Sequence, residues 1–182
     1  MSVTPNDADR PIIVTATLGP NDFAWADALR KKHFPPDRNV LAAHLTLFHH
    51  LPANCAAELF PLLADATDRP APAAQLAGIL DLGGGTAFLV ESAELTSIRA
   101  AIAQAFAGRL TRQDEQLKRF HITVQNKVDS STAQALQATL SQEFRPRPLE
   151  LIGLSAWRYL GGPWTLLQEF PFRNPSPATE VH

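Results

Sequence analysis

The chain holds a single cysteine, Cys55, one methionine and one tyrosine among 182 residues. A lone thiol cannot close an intramolecular disulfide, and it rules out a structural zinc site built on several cysteines. No apolar run reaches the roughly 18 residues that a membrane span needs. Residues Met1 to Arg10 carry Asp7 and Asp9 and lack the basic-then-apolar order of a secretory signal, so a cytoplasmic location is the expectation. Excess positive charge is missing too. Lys+Arg 16 against Asp+Glu 18 leaves a formal net charge of −2, which argues against a generic polyanion binder that neutralises many phosphates at once. Any phosphate recognised by this chain is recognised locally.

What is present is the balance of a soluble globular protein, with 45% hydrophobic and 19% charged residues. The length suits one ordinary domain or two small lobes sharing a core. Residues 1–182 read as one bilobal domain, with 1–10 and 174–182 as flexible tails. The run Pro11 to Leu18 is β-rich and stops at Gly19-Pro20. Phe23, Ala26 and Leu29 recur at helical spacing up to Pro35-Pro36, with Asn21 or Asp22 as a cap. A second amphipathic helix is expected over Asn54 to Ala66, capped by Asn54 and interrupted by Pro61. Gln75 to Leu82 and Thr86 to Val90 form a hairpin around Gly83-Gly84-Gly85. That triple glycine reads as a turn and not as a phosphate loop, since no Lys-Ser/Thr and no helix follow it. Ser92 to Leu110 is the clearest helix, with Leu95, Ile98, Ile102 and Phe106 on one face. Residues Thr111 to Lys118 form a polar connection. Asp129-Ser130-Ser131 caps a helix from Thr132 to about Phe144, and two strands close the chain over Leu149 to Leu160 and Trp164 to Phe170. Strands interleaved with a few helices, joined as hairpins, give an α+β architecture with two pseudo-symmetric lobes.

Two segments share a pattern. Ala43-His44-Leu45-Thr46-Leu47-Phe48 and Phe120-His121-Ile122-Thr123-Val124 each write His, apolar, Thr, apolar, and a period of two puts each His and Thr on one face of a strand. Each is followed by a loop and a helix, at residues 43–66 and 120–144, an internal duplication of pattern. Set side by side across a groove, His44, Thr46, Phe48 and His50 line one wall and His121, Thr123, Gln125 and Lys127 the other. An imidazole titrates near ~6.5, so one histidine can accept a proton while the other donates one. Opposite a phosphodiester, the base activates water or a ribose hydroxyl and the acid protonates the leaving oxygen. The threonine hydroxyls donate to the nonbridging oxygens. Which histidine takes which role stays open.

The paired motifs HLTL at His44 to Leu47 and HITV at His121 to Val124 resemble those of the two-histidine (2H) phosphoesterase superfamily. The HLTLFHHL context is similar to its 2′-5′ RNA ligase-like branch. The resemblance spans the strand at Ile12 to the strand at Trp164. It implies two antiparallel sheets with helices outside and a central cleft. It further implies metal-independent phosphodiesterase or ligase chemistry, without a cofactor, on RNA ends or nucleotides carrying 2′,3′-cyclic or 2′-5′ linkages. By position, His44 and His121 would be the catalytic pair, and Thr46 and Thr123 the phosphate-binding hydroxyls. A noncatalytic RNA-end or nucleotide-binding module that kept the same groove is the reading from another class.

Around the motifs, Lys118, Arg119, Lys127 and Arg158 form a modest basic set suited to one terminal phosphate or a short RNA end. Phe48 is the first choice for stacking on a base, because strict alternation places it beside His44 and Thr46. Trp157 is more at home in the core, and Tyr159 is a further aromatic near the site. His49 and His50 cannot both join one site with His44, and no acid or thiol accompanies them at ligand spacing, so no metal is expected.

Overall fold

The structure is a computed structural model, which describes residues 9–116 and 119–173. The expected terminal tails lie almost wholly outside the described residues, as do Lys118 and His182. Arg10 does not behave as a solvated tail: it is half-buried, and its carbonyl accepts a hydrogen bond from Arg158.

Eight strands form one antiparallel sheet: β1 (Ile12–Leu18), β2 (Leu45–Leu51), β3 (Gln75–Asp81), β4 (Thr86–Glu91), β5 (Phe120–Gln125), β6 (Arg147–Pro148), β7 (Leu151–Tyr159) and β8 (Trp164–Pro171). Their order across the sheet is β6-β3-β4-β5-β2-β1-β7-β8. The expected two antiparallel sheets are therefore two four-stranded halves joined edge to edge. The join is minimal. β2 meets β5 at the single register pair Leu45↔Ile122. Reading outward from that pair, β5-β4-β3-β6 mirrors β2-β1-β7-β8, which is the pseudo-symmetry that the repeated motif implies.

The helices are α1 (Pro20–His33), α2 (Ala56–Thr67), α3 (Ala93–Ala105), α4 (Arg112–Glu115) and α5 (Ser130–Glu143). Their starts have local causes. Pro20 follows Gly19 at the first turn of α1, where a missing N–H costs nothing. Ser92 Oγ accepts from Leu95 N at 3.1 Å at the start of α3, and Asp129 Oδ1 accepts from Thr132 N at 2.8 Å at the start of α5. Leu59 and Leu63 of α2 and Leu95, Ile98 and Ile102 of α3 pack with Leu45, Leu47, Phe48, Ile122 and Val124 in one core. Burying each such side chain stabilises the fold by roughly 1.5–3 kcal/mol. The opposite face of β2 and β5 is left open.

The hairpin at residues 81–86 is a turn, as its glycines predict. Gly83 has φ +80°, where a side chain would be strained, and a Cβ on Gly85 would stand 2.2 Å from the Gln125 carbonyl oxygen, which leaves no room for one. The sequence reading missed β6 and the short α4, and it placed the cap of α2 at Asn54 where the structure has Cys55.

Candidate active site

The Leu45↔Ile122 pair sets the geometry of the site. In antiparallel pairing, one step either way puts His44 opposite Thr123 and Thr46 opposite His121. Leu45 and Ile122 are fully buried on the core side, so the four polar side chains project to the open side. All four line one cleft of about 620 Å³, together with His49, Asn126 and Trp164.

The two imidazoles are held alike. His44 Nδ1–H donates to the Ala42 carbonyl at 2.8 Å, and His121 Nδ1–H donates to the Arg119 carbonyl at 3.3 Å, each two residues upstream. That bond fixes the tautomer and turns Nε2 away from the backbone. Burial pushes the His44 imidazole down to about 4, helped by the nearby charges of Arg30, His49 and His121, while its bond to Ala42 opposes the shift. His121 is lowered as well, again chiefly by burial. The heavier burial of His44 has a visible source in the Trp164 ring, 4.7 Å away between centroids.

Beyond the threonine, strict alternation fails in both motifs, and at the same position. Thr15 pairs with Thr46 but Val14 pairs with Phe48, so Leu47 is an extra residue in β2. Ala87 pairs with Thr123 but Thr86 pairs with Gln125, so Val124 is an extra residue in β5. Such a β-bulge reverses the facing of the residues that follow it, until in β2 a second register shift, between Val14↔Phe48 and Ile12↔Leu51, returns Leu51 to the core. Phe48, expected to stack on a base, is instead 0% exposed in the core, with the Arg99 guanidinium 4.6 Å over its ring. Gln125 is buried, its Oε1 accepting from Thr86 Oγ1 at 3.2 Å. The cleft receives the sixth residue of each motif, His49 on one side and Asn126 on the other. His50, expected on the cleft wall, is not among its lining residues.

The other basic candidates lie elsewhere. Lys127 sits exposed at the end of β5 with φ 63°, outside the cleft lining. Arg158 donates to the carbonyls of Arg10 and Ala53, tying β7 to two loops. Arg119 borders a separate depression beside α3. Tyr159 is exposed and also stands off the cleft. The aromatic wall is Trp164, with Trp157 behind it at 6.2 Å. Trp157 is half-buried, and its Nε1–H donates to Thr15 Oγ1 at 2.9 Å.

Three charged side chains brace the motifs, and the sequence reading singled out none of them. Arg30 of α1 is buried; its Nε–H reaches Asn39 Oδ1 and the Leu41 carbonyl, and Nη1 donates to the Thr123 carbonyl at 3.0 Å. One guanidinium thus ties the approach to the first motif to the backbone of the second. Arg99 of α3 acts in the mirror sense, donating to the Leu47 carbonyl in the β2 bulge at 2.9 Å and to the Asp114 carbonyl. Asp114 of α4 is 0% exposed and accepts from the backbone N–H groups of His49 and His50, each at 2.8 Å, and from His49 Nδ1 at 3.2 Å. Burial alone would raise this carboxyl; the hydrogen bonds from His49 and His50 outweigh it and hold the group below its usual value. A signal for α4 was present, since Thr111-x-x-Asp114 is a helix-start pattern, and Thr111 Oγ1 does accept from Asp114 N.

A second cavity of about 440 Å³ adjoins the cleft and shares His44 and Trp164 with it. Its walls include Phe23, Val40, Leu41 and Trp157, so it is predominantly apolar. Phe23 belongs there and not in the core: it is 40% exposed, whereas Ala26 on the same helix is fully buried. Among the described residues, no group of three His, Cys, Asp or Glu is placed to hold a metal ion. Nor is any helix among them long and apolar enough to cross a membrane.

An α+β sheet with paired His-x-Thr strands meeting across one cleft is the arrangement of a 2H phosphoesterase. The sequence model of the 2′-5′ RNA ligase superfamily matches residues 19–163, and the chain belongs to that superfamily. Its fold is shared with TT0787 of Thermus thermophilus, at a TM-score of 0.57 and 18% identity, over 91% of this chain and 100% of that one. It is shared equally with LigT of E. coli, solved with 3′-AMP, at a TM-score of 0.58 and 15% identity, over 91% and 99% of the two chains. No curated protein matches the sequence.

Proposed function

We propose that the protein is a phosphodiesterase that opens a 2′,3′-cyclic phosphate on a nucleotide or RNA end, with His44 and His121 as the acid/base pair. The observation that carries this reading is the Leu45↔Ile122 register, which leaves each imidazole facing the other motif's hydroxyl in one cleft. His44, held near 4 by burial, is unprotonated at neutral pH and is the base. It takes a proton from water as the water oxygen bonds to phosphorus. His121 then gives its proton to the ribose oxygen as the P–O bond breaks, leaving a phosphomonoester. Thr46 and Thr123 donate to the nonbridging oxygens, where negative charge grows. His121 must be charged to act, and the bound phosphate anion favours its charged form.

The apolar cavity beyond Trp164 supports a nucleoside substrate over a bare phosphodiester, because a flat base can lie against indole and Phe23 while its phosphate reaches His44. The complex of E. coli LigT with 3′-AMP is consistent with a nucleotide in such a fold.

The test is turnover of a panel containing 2′,3′-cyclic nucleotides, a 2′-5′ dinucleotide and a 3′-5′ dinucleotide in excess EDTA, read by product identity. Hydrolysis of the cyclic nucleotides to a single phosphomonoester isomer is expected. Joining of RNA ends without cyclic-phosphate hydrolysis would turn the reading toward the ligase direction, and no turnover of any member would leave the binding module.

A further inference from the structure

The bulge at Leu47 brings a third imidazole, His49, into the cleft, and its surroundings differ from those of His44 and His121. Those two donate Nδ1–H to neutral backbone carbonyls. His49 places Nδ1 on a fully buried carboxylate, Asp114, whose two oxygens are also fixed by the backbone N–H groups of His49 and His50. That contact orients the ring and turns Nε2 toward the cleft, where an N–H can donate to a phosphate oxygen. Among the described residues lining that cleft there is no lysine or arginine. Arg30 lies behind the strand and donates to Asn39, Leu41 and Thr123; Arg99 donates to Leu47 and Asp114. Among the described residues, a phosphodiester anion entering the cleft meets His49 as the imidazole that a buried carboxylate backs from behind.

We propose that His49 is the phosphate-binding cation of this site, donating from Nε2–H to a nonbridging oxygen of the substrate and of the product. The proposal rests on reading the cleft as a phosphodiester site. It gives the three histidines separate duties: His44 and His121 exchange protons, and His49 supplies charge. The groups facing it are Asp114 from α4 and His44 and His121 from the two motifs, with Arg99 of α3 bound to the far side of Asp114. Its pseudo-symmetric counterpart, Asn126, has no acid in that place and instead accepts from Lys127 N at 2.8 Å.

The experiment is the pH dependence of 2′,3′-cyclic AMP hydrolysis by wild type and His49→Gln. A charge-assisted hydrogen bond lost to the substrate raises KM about tenfold to a hundredfold. Because the His49 charge also depresses His44 and His121, both limbs of the kcat/KM profile should move to higher pH, which a merely structural role would not do. Unchanged KM and unchanged limbs in a folded variant overturn the proposal. A second measurement needs neither the variant nor turnover: titrate wild type with inorganic phosphate and follow the His49 ring Cε1–H signal by NMR. Saturable movement of that signal supports the assignment, and a static signal overturns it. Failure of the underlying reading looks different, as full hydrolysis by His44→Ala or no hydrolysis by wild type.

Discussion

The two halves of the sheet present the same four-residue device and surround it differently. Both motifs bulge immediately after the threonine, at Leu47 and Val124, and both fix the histidine Nδ1 on a carbonyl two residues back. Around that common frame, the first half adds Trp164 against His44 and Asp114 against His49. The second half offers His121 and Asn126 without those partners in the cleft. The comparison teaches how a symmetric pair acquires unlike surroundings. Two identical imidazoles in identical settings would titrate together, and an acid and a base need to differ. Here the difference comes from what packs on the strands and not from the motifs themselves.

The bracing is the part of the comparison that breaks with the largest effect. Arg30 reaches from α1 to β5, and Arg99 reaches from α3 to the β2 bulge, so each half holds the other's motif. Truncating either to alanine strands backbone carbonyls and opens a buried space, and a loss of about 3 kcal/mol in urea unfolding is expected for each. Arg30→Ala should also lower activity through both motifs at once, whereas Arg99→Ala should act mainly through His49. Equal stability losses with unequal kinetic losses would sharpen the comparison; no stability loss from either would break it.

A smaller effect tests the asymmetry of the histidines. Trp164→Ala removes the ring that helps to keep water from His44, so its imidazole rises from about 4 toward the ordinary value. A base works only when unprotonated. In the proposed mechanism, raising its pKa therefore moves the acid limb of kcat/KM to higher pH, while the alkaline limb, assigned to His121, stays nearly fixed. An acid limb that does not move would remove Trp164 as the source of the difference.

Much of this architecture was legible in the residues. The repeated His-x-Thr pattern located both strands of the site, and Ser92, Asp129 and the triple glycine marked two helix starts and a turn correctly. What escaped has one main physical cause. Leu47 and Val124 are ordinary strand residues, with no glycine or proline to advertise a bulge, so alternation was carried one step too far. That single step sent Phe48 and Gln125 to the cleft on paper when they belong to the core, and hid His49 and Asn126. Buried Arg30 and Asp114 escaped for another reason. Charged residues on a helix read as solvent-facing until their partners, here backbone groups distant in sequence, are known. Arg158 of the late strand, expected among the phosphate-binding cations, instead serves two loop carbonyls.

The proposed mechanism makes the two imidazoles one unit acting on one phosphorus centre, and the double substitution tests that most directly. Hydrolysis of a 2′,3′-cyclic nucleotide should be compared among wild type, His44→Ala, His121→Ala and the double variant, in excess EDTA. Each single change is expected to lower kcat by about 10²–10⁴, with the double variant little worse than the poorer single one. Losses that multiply, or full activity in either single variant, would mean that the two histidines do not share a reaction.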